Sequence, residues 1–160
     1  MKKAIYIETS IPSYLTARPS RDVRAAAWQQ ITEEWWNDAR HEHELFTSEL
    51  TVVEASAGNP EAAARRVQAI ADLPELPIDE EARQLAELLI IKGGLPASAK
   101  ADALHVAVAA VHRIDYLLTW NCRHIDNANN KPIIREICAS VGYVCPEICT
   151  PMELMPEEKE

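Results

Sequence analysis

The chain has 160 residues, 48% hydrophobic and 26% charged, which suits one globular domain that buries a core without staples. Its formal net charge of −9 argues against a domain that grips nucleic acid by bulk positive charge and leaves only a local basic rim. No apolar run approaches the roughly 18 residues of a membrane helix, and the start, MKKAIYIETS, does not read as a signal peptide, because its apolar part is short and Glu8 interrupts it.

Ala4 to Ile7 is a β-favouring apolar run, read as a buried strand. It ends at Glu8-Thr9-Ser10, where Thr9 or Ser10 suits a helix cap. Glu8 leaves the strand directly and fits a site better than a cap. Pro12 and Pro19 bracket an expected loop with Tyr14, Leu15 and Arg18. Ser20 is the expected cap of a long helix reaching about Arg40, with Asp22 in its first turn. Trp28, Ile31 and Trp35 recur on one face of it, with Trp36 beside them. Such a face is either core or a partner surface, and three tryptophans so close together on one helix predict the partner surface.

Leu45 to Thr47 reads as a second strand, and Ser48 as the cap of a helix that ends before Gly58. Glu54 lies in that helix, either as an exposed surface glutamate or as a site residue. Asn59-Pro60 opens the next helix. Leu76-Pro77-Ile78 suits a short edge strand. Asp79 caps a helix that Gly93-Gly94 terminate.

Residues 97 to 127, ASAKADALHVAVAAVHRIDYLLTWNCRHIDN, organise the rest. From Ala103 to Val111 nearly every side chain is small or apolar, so this helix is covered on most sides. Ser98 is the expected cap. Asp102 and His105 share one face, and His112 returns near that line. A carboxylate there is costly unless it is paired or binds something. Tyr116 to Thr119 is a strand ending in Trp120, Asn121, Arg123 and His124, and open α/β sheets build their sites just past such ends. Pro132 opens a helix closed by Gly142, Tyr143 to Cys145 is the expected last strand, and Thr150 caps a short turn. Residues 1–155 are read as the domain and 156–160 as an acidic, frayed tail. Cys122, Cys138, Cys145 and Cys149 lack paired CxxC spacing, which argues against zinc and for thiols in a cytoplasmic chain.

Strands alternating with helices indicate an α/β fold with a parallel sheet, whose strand C-terminal ends lie along one edge. Glu8, Glu54 and Asp102 gather there, with Asn121 as a neutral fourth group. Converging carboxylates repel unless a cation neutralises them, and oxygen-only ligands favour Mg²⁺ or Mn²⁺. Such ions clamp phosphodiesters and activate water, which is hydrolytic nuclease chemistry. Arg18, Arg21 and Arg24 form one basic cluster, and Lys100, Arg123, His124 and Lys131 surround the central stretch. These are either a solvated surface or a basic rim.

The segments AIYIETSIPSYL, LTVVEAS and KADALHVAVAAVHRIDYLLTWNCRHI, in this order, resemble the PIN-domain family. The last is similar to the VapC-like toxins of type II toxin–antitoxin pairs. The resemblance covers nearly the whole chain, and DALHVAVAA…DYLLTWN is its most specific part. It implies a three-layer α/β/α fold with a central parallel sheet and an Mg²⁺- or Mn²⁺-dependent ribonuclease. It also implies a homodimer and a cognate antitoxin partner, while the lack of a long apolar run argues against a membrane partner. The family's four site positions fall on Glu8, Glu54, Asp102 and Asn121. Glu8 and Asn121 both stand where aspartate is usual. Glu8 lengthens a ligand by one methylene, and Asn121 removes a negative charge and puts a second metal in question. Asp126 is close enough in sequence to substitute for Asn121, but it is the less favoured choice. The other reading is a degenerate PIN domain that binds RNA or protein without cleaving. Three acids in four positions favour the enzyme. A DNA flap-type nuclease would need binding elements that a chain this short hardly holds.

Overall fold

A computed structural model describes residues 1–157. Five parallel strands form one sheet in the order β3-β2-β1-β4-β5. They are β1 (Lys3–Ile7), β2 (His43–Ser48), β3 (Glu75–Leu76), β4 (Tyr116–Leu118) and β5 (Glu147–Cys149). The helices are α1 (Ser10–Thr16), α2 (Val23–Glu34), α3 (Glu49–Ala55), α4 (Pro60–Ile70), α5 (Glu80–Ile91), α6 (Lys100–Val111) and α7 (Lys131–Ser140). The chain winds outward from β1 through β2 to β3, then returns to the other side of β1 as β4 and β5. The crevice between the C-terminal ends of β1 and β4 is therefore the switch point of the sheet, the usual place for a site in such folds.

Alternation along the strands builds the three layers. Tyr6 and Leu117 point into a core with α5, α6 and α7, where Leu85, Leu89, Val106 and Ile134 are buried. Ile5, Ile7 and Leu118 point the other way, onto Ile11, Trp35, Ala55 and Ile70. Register pairs Ile5 with Tyr116 and Ile7 with Leu118, so Glu8 and Thr119 leave their strands side by side. Both faces of the sheet are covered, as an all-parallel sheet requires. Among the described residues, no helix is long and apolar enough to cross a membrane.

The structure corrects several expectations. The segment from Pro12 is not a loop: Ser10 to Thr16 is helix α1, and Pro12 sits in its first turn, where a missing N–H costs nothing. Asp22, not Ser20, caps α2 by accepting from the Ala25 N–H; the Ser20 hydroxyl accepts from the Asp22 N–H instead. That helix ends at Glu34 and continues as a wider π-helical turn, Trp35–Ala39, then a 3₁₀ turn, Arg40–Glu42. Ser98 is not the cap of α6; Ala99 holds that place without a side-chain bond. The last strand is Glu147–Cys149 rather than Tyr143 to Cys145, because the Asp115 carbonyl and β4 pair with the later segment. The caps at Ser48, Asn59 and Asp79 agree with expectation, and Thr150 with Glu153 forms a capping box.

The tryptophan face packs on the core and is not the expected partner surface. Trp35 is fully buried and Trp36 nearly so, under the Arg40 guanidinium. Trp28 is half-buried and stacks on Trp120 at 4.7 Å with 12° between the rings. All four cysteines are free thiols. Of the acidic tail, residues 158–160 lie outside those described.

Candidate active site

The site edge is built from β1, β4 and the helices beside them. Glu8 follows β1 directly and is 5% exposed. Its carboxylate accepts from the Ser10 N–H at 2.6 Å and from the Thr119 hydroxyl at 2.8 Å. The first bond caps the start of α1, and the second spans the crevice to the residue after β4. The Thr119 hydroxyl also accepts from the Asn121 N–H, and the Ser10 hydroxyl accepts from the Trp120 N–H. The two strand ends are thereby laced together.

Glu54 reaches the same place from α3. One oxygen, Oε1, accepts from the Thr9 hydroxyl at 2.6 Å and from His105 Nε2 at 2.5 Å. His105 is 1% exposed, and its Nδ1 lies 2.6 Å from the Tyr6 hydroxyl. Burial alone would lower the imidazole pKa. The Tyr6 oxygen, the Glu54 hydrogen bond and the charges of Glu8 and Glu54 outweigh burial and raise it to about 10. Burial likewise pushes Glu54 upward, but the His105 hydrogen bond and charge, with the Thr9 hydroxyl, hold it below the usual carboxylate range.

Asp102 sits in the first turn of α6, and its Oδ2 accepts from His124 Nδ1 at 2.9 Å. The Asn121 side-chain oxygen accepts from the His124 N–H at 3.0 Å. Asn121 thus joins the two halves, its backbone bonded to Thr119 and its side chain to His124. Asp126 is engaged elsewhere, 2.6 Å from the Lys131 ammonium. His112 caps the far end of α6, bonded to the Pro77 carbonyl.

Each carboxylate has its own partner in this arrangement. Among the described residues, no three His, Cys, Asp or Glu side chains crowd round one point as a ready-made cage. The donor set nevertheless suits a hard divalent cation. Glu54 Oε2 and Asp102 Oδ1 accept no hydrogen bond from the described residues, and their side chains are 33% and 22% exposed. Oxygen ligands of this kind match Mg²⁺ or Mn²⁺.

A family model for the PIN domain matches residues 5–129. The chain belongs to the PIN-domain family. Among solved structures, VapBC2 from Rickettsia felis, bound to a DNA fragment from its promoter, is similar to this PIN domain. The TM-score is 0.54 at 13% identity, covering 92% of this chain and 98% of that one. VapBC-5 from Mycobacterium tuberculosis, of the VapBC family of toxin–antitoxin systems, gives 0.48 at 19% identity, over 78% and 92% of the two chains. No curated protein sequence matches significantly. The VapBC2 likeness concerns the fold, and it agrees with the three-layer α/β/α architecture.

Three contributors were not singled out in the sequence as site residues. Tyr6 shows only as a tyrosine inside a buried strand, whose hydroxyl needs a partner. Thr119 shows only as a strand end. His105 is visible on the face of Asp102, but its bond to Glu54 crosses 51 residues of chain.

Proposed function

We propose that this PIN domain is an Mg²⁺- or Mn²⁺-dependent endoribonuclease, the toxin of a type II toxin–antitoxin pair acting in the cytoplasm. The observation that carries the reading is the placement of Glu8, Glu54 and Asp102 along the switch-point edge of a PIN fold. Glu8 and Asp102 would hold the ion, with Glu54 completing the site and Asn121 as a neutral neighbour. A bound divalent ion supplies water activation and charge neutralisation at the scissile phosphodiester. The chain's own part is to bind and orient. Ser10 and Thr119 fix the Glu8 carboxylate, while His124 and Asn121 hold Asp102 and the loop after β4. Exposed Arg123 and Lys100, two residues from Asn121 and Asp102 in the chain, would meet the RNA backbone. A cognate antitoxin and a homodimer follow from the motif resemblance as part of the same proposal.

The alternative is a degenerate PIN domain that binds without cleaving. Asn121 at an ordinarily acidic position, and carboxylates already engaged by protein partners, favour it. Cleavage of a mixed RNA pool, measured against Mg²⁺ and Mn²⁺ concentration, separates the two. The enzyme reading expects cleavage that EDTA abolishes and that Asp102→Ala lacks. Binding without cleavage at any metal concentration supports the alternative. Activity persisting in Asp102→Ala identifies a contaminant.

A further inference from the structure

The three carboxylates stand just after β1, on α3 and on α6, and one buried hydrogen-bond network ties those same elements together. Its centre is the Tyr6 hydroxyl, 2.6 Å from His105 Nδ1, 2.7 Å from the Ser48 hydroxyl and 3.3 Å from the Thr51 hydroxyl. Tyr6 lies two residues before Glu8. Thr51 lies one helical turn before Glu54, and its hydroxyl also donates to the Ile7 carbonyl. His105 lies one turn after Asp102. Tyr6, Ser48, Thr51 and His105 are all essentially excluded from solvent.

We propose that His105 is a positioning residue for Glu54: held by Tyr6, it engages one carboxylate oxygen so that the other is presented to the ion. The inference rests on the reading of Glu54 as an ion ligand. A carboxylate cannot donate to the ring, so His105 Nε2 carries the proton and donates to Oε1. That holds for the neutral ring, where the Tyr6 hydroxyl donates to Nδ1, and equally for the charged one. Thr9 donates to the same oxygen. Both donors therefore converge on Oε1 and leave Oε2 turned to the partly exposed edge. Without them, Glu54 is a flexible side chain on the first helix after β2 with no fixed orientation. The arrangement resembles the outer layer of metal sites, in which a hydrogen-bonded partner sets a ligand's direction and its loss weakens metal affinity about 10- to 100-fold.

The test is calorimetric titration of the full chain with Mn²⁺, with thermal melts in EDTA to establish that each variant is folded. His105→Ala is expected to bind Mn²⁺ about 10- to 100-fold more weakly than wild type. His105→Gln, whose amide N–H can reach Glu54, is expected to recover most of that loss. Tyr6→Phe keeps the ring and loses only the hydroxyl, and is expected to weaken binding several-fold; it serves as the test if His105→Ala does not fold. Wild-type affinity in folded His105→Ala or in Tyr6→Phe overturns the inference, as does equal weakness in the Ala and Gln variants. Glu54→Gln separates this from the underlying reading. Mn²⁺ affinity indifferent to Glu54→Gln, or absent in wild type, overturns the reading of Glu54 as a ligand and the inference with it. Affinity that falls with Glu54→Gln and ignores His105→Ala overturns the inference alone.

Discussion

His105 and Glu54 meet at 2.5 Å, Nε2 to Oε1, joining a fully buried imidazole on α6 to a carboxylate on α3 that is one-third exposed. The acidic edge thus has a titratable partner of its own, one that can carry positive charge. The pair makes stability depend on pH. The His105 pKa is raised to about 10 from 6.5, so its contribution is complete below about 6.5 and is lost as pH rises toward 10. Glu54 is held below its usual range, so its contribution is present above that range and is lost as pH falls through the lowered value. Both shifts describe largely one interaction and count once.

Metal-free protein is therefore expected to be most stable near pH 5 to 6. It should lose on the order of a few kcal/mol between about pH 7 and 10. Urea unfolding in EDTA across that range checks this, with His105→Gln expected to flatten the alkaline decline. A wild-type profile that is level to pH 10 would show that the imidazole is neutral in the folded chain.

Asp102→Asn is expected to leave the metal-free protein as stable as wild type or slightly more so. Asparagine still offers an oxygen to His124, so this partly exposed hydrogen bond, worth about 0.5–1.5 kcal/mol, is kept. Metal-dependent cleavage should disappear. Melting curves in EDTA, beside activity assays, decide the matter. A clear fall in melting temperature would make Asp102 a structural anchor.

Trp28 supports the site from behind. It stacks on Trp120, whose backbone N–H bonds Ser10 and whose ring N–H donates to the Thr32 hydroxyl. Trp28→Ala is expected to cost roughly 1–3 kcal/mol, less than a fully buried tryptophan, because Trp28 is half-buried. It should also lower cleavage several-fold by loosening residues Thr119 to Asn121. Chemical denaturation and initial rates measure the two effects. Lost stability with unchanged rates would show that the stack does not position the loop.

The strands and most helix starts are legible locally. Ile, Leu, Tyr and Phe mark β1, β2 and β4, and the caps at Ser48, Asn59 and Asp79 are single-residue signals. Pro12 misleads because proline breaks a helix interior yet suits a first turn. Ser20 and Asp22 are competing caps two residues apart, and geometry chooses the second. The last strand is misplaced because Tyr143 to Cys145 and Glu147–Cys149 are both short with few apolar residues, and only pairing with β4 decides between them. The candidate positions Glu8, Asp102 and Asn121 are visible from their places at strand ends and in a helix first turn. The partners that hold them are not. Tyr6 to His105 spans 99 residues and Glu8 to Thr119 spans 111, and no local pattern encodes such contacts.

Asn121→Asp is expected to tighten metal binding and raise cleavage at low Mg²⁺ or Mn²⁺. An aspartate oxygen can keep the bond to the His124 N–H while adding charge to the edge. Rates compared across metal concentration test this. Identical metal dependence in the two proteins would place Asn121 outside the ion's influence.

The most direct measurement is anomalous diffraction at the manganese edge from crystals soaked in Mn²⁺. The account predicts a principal peak between β1 and β4 with oxygens of Glu8, Glu54 and Asp102 at about 2.0–2.2 Å. It also predicts that the His105–Glu54 hydrogen bond is retained. A peak bound elsewhere, or none at this edge at saturating Mn²⁺, would contradict it.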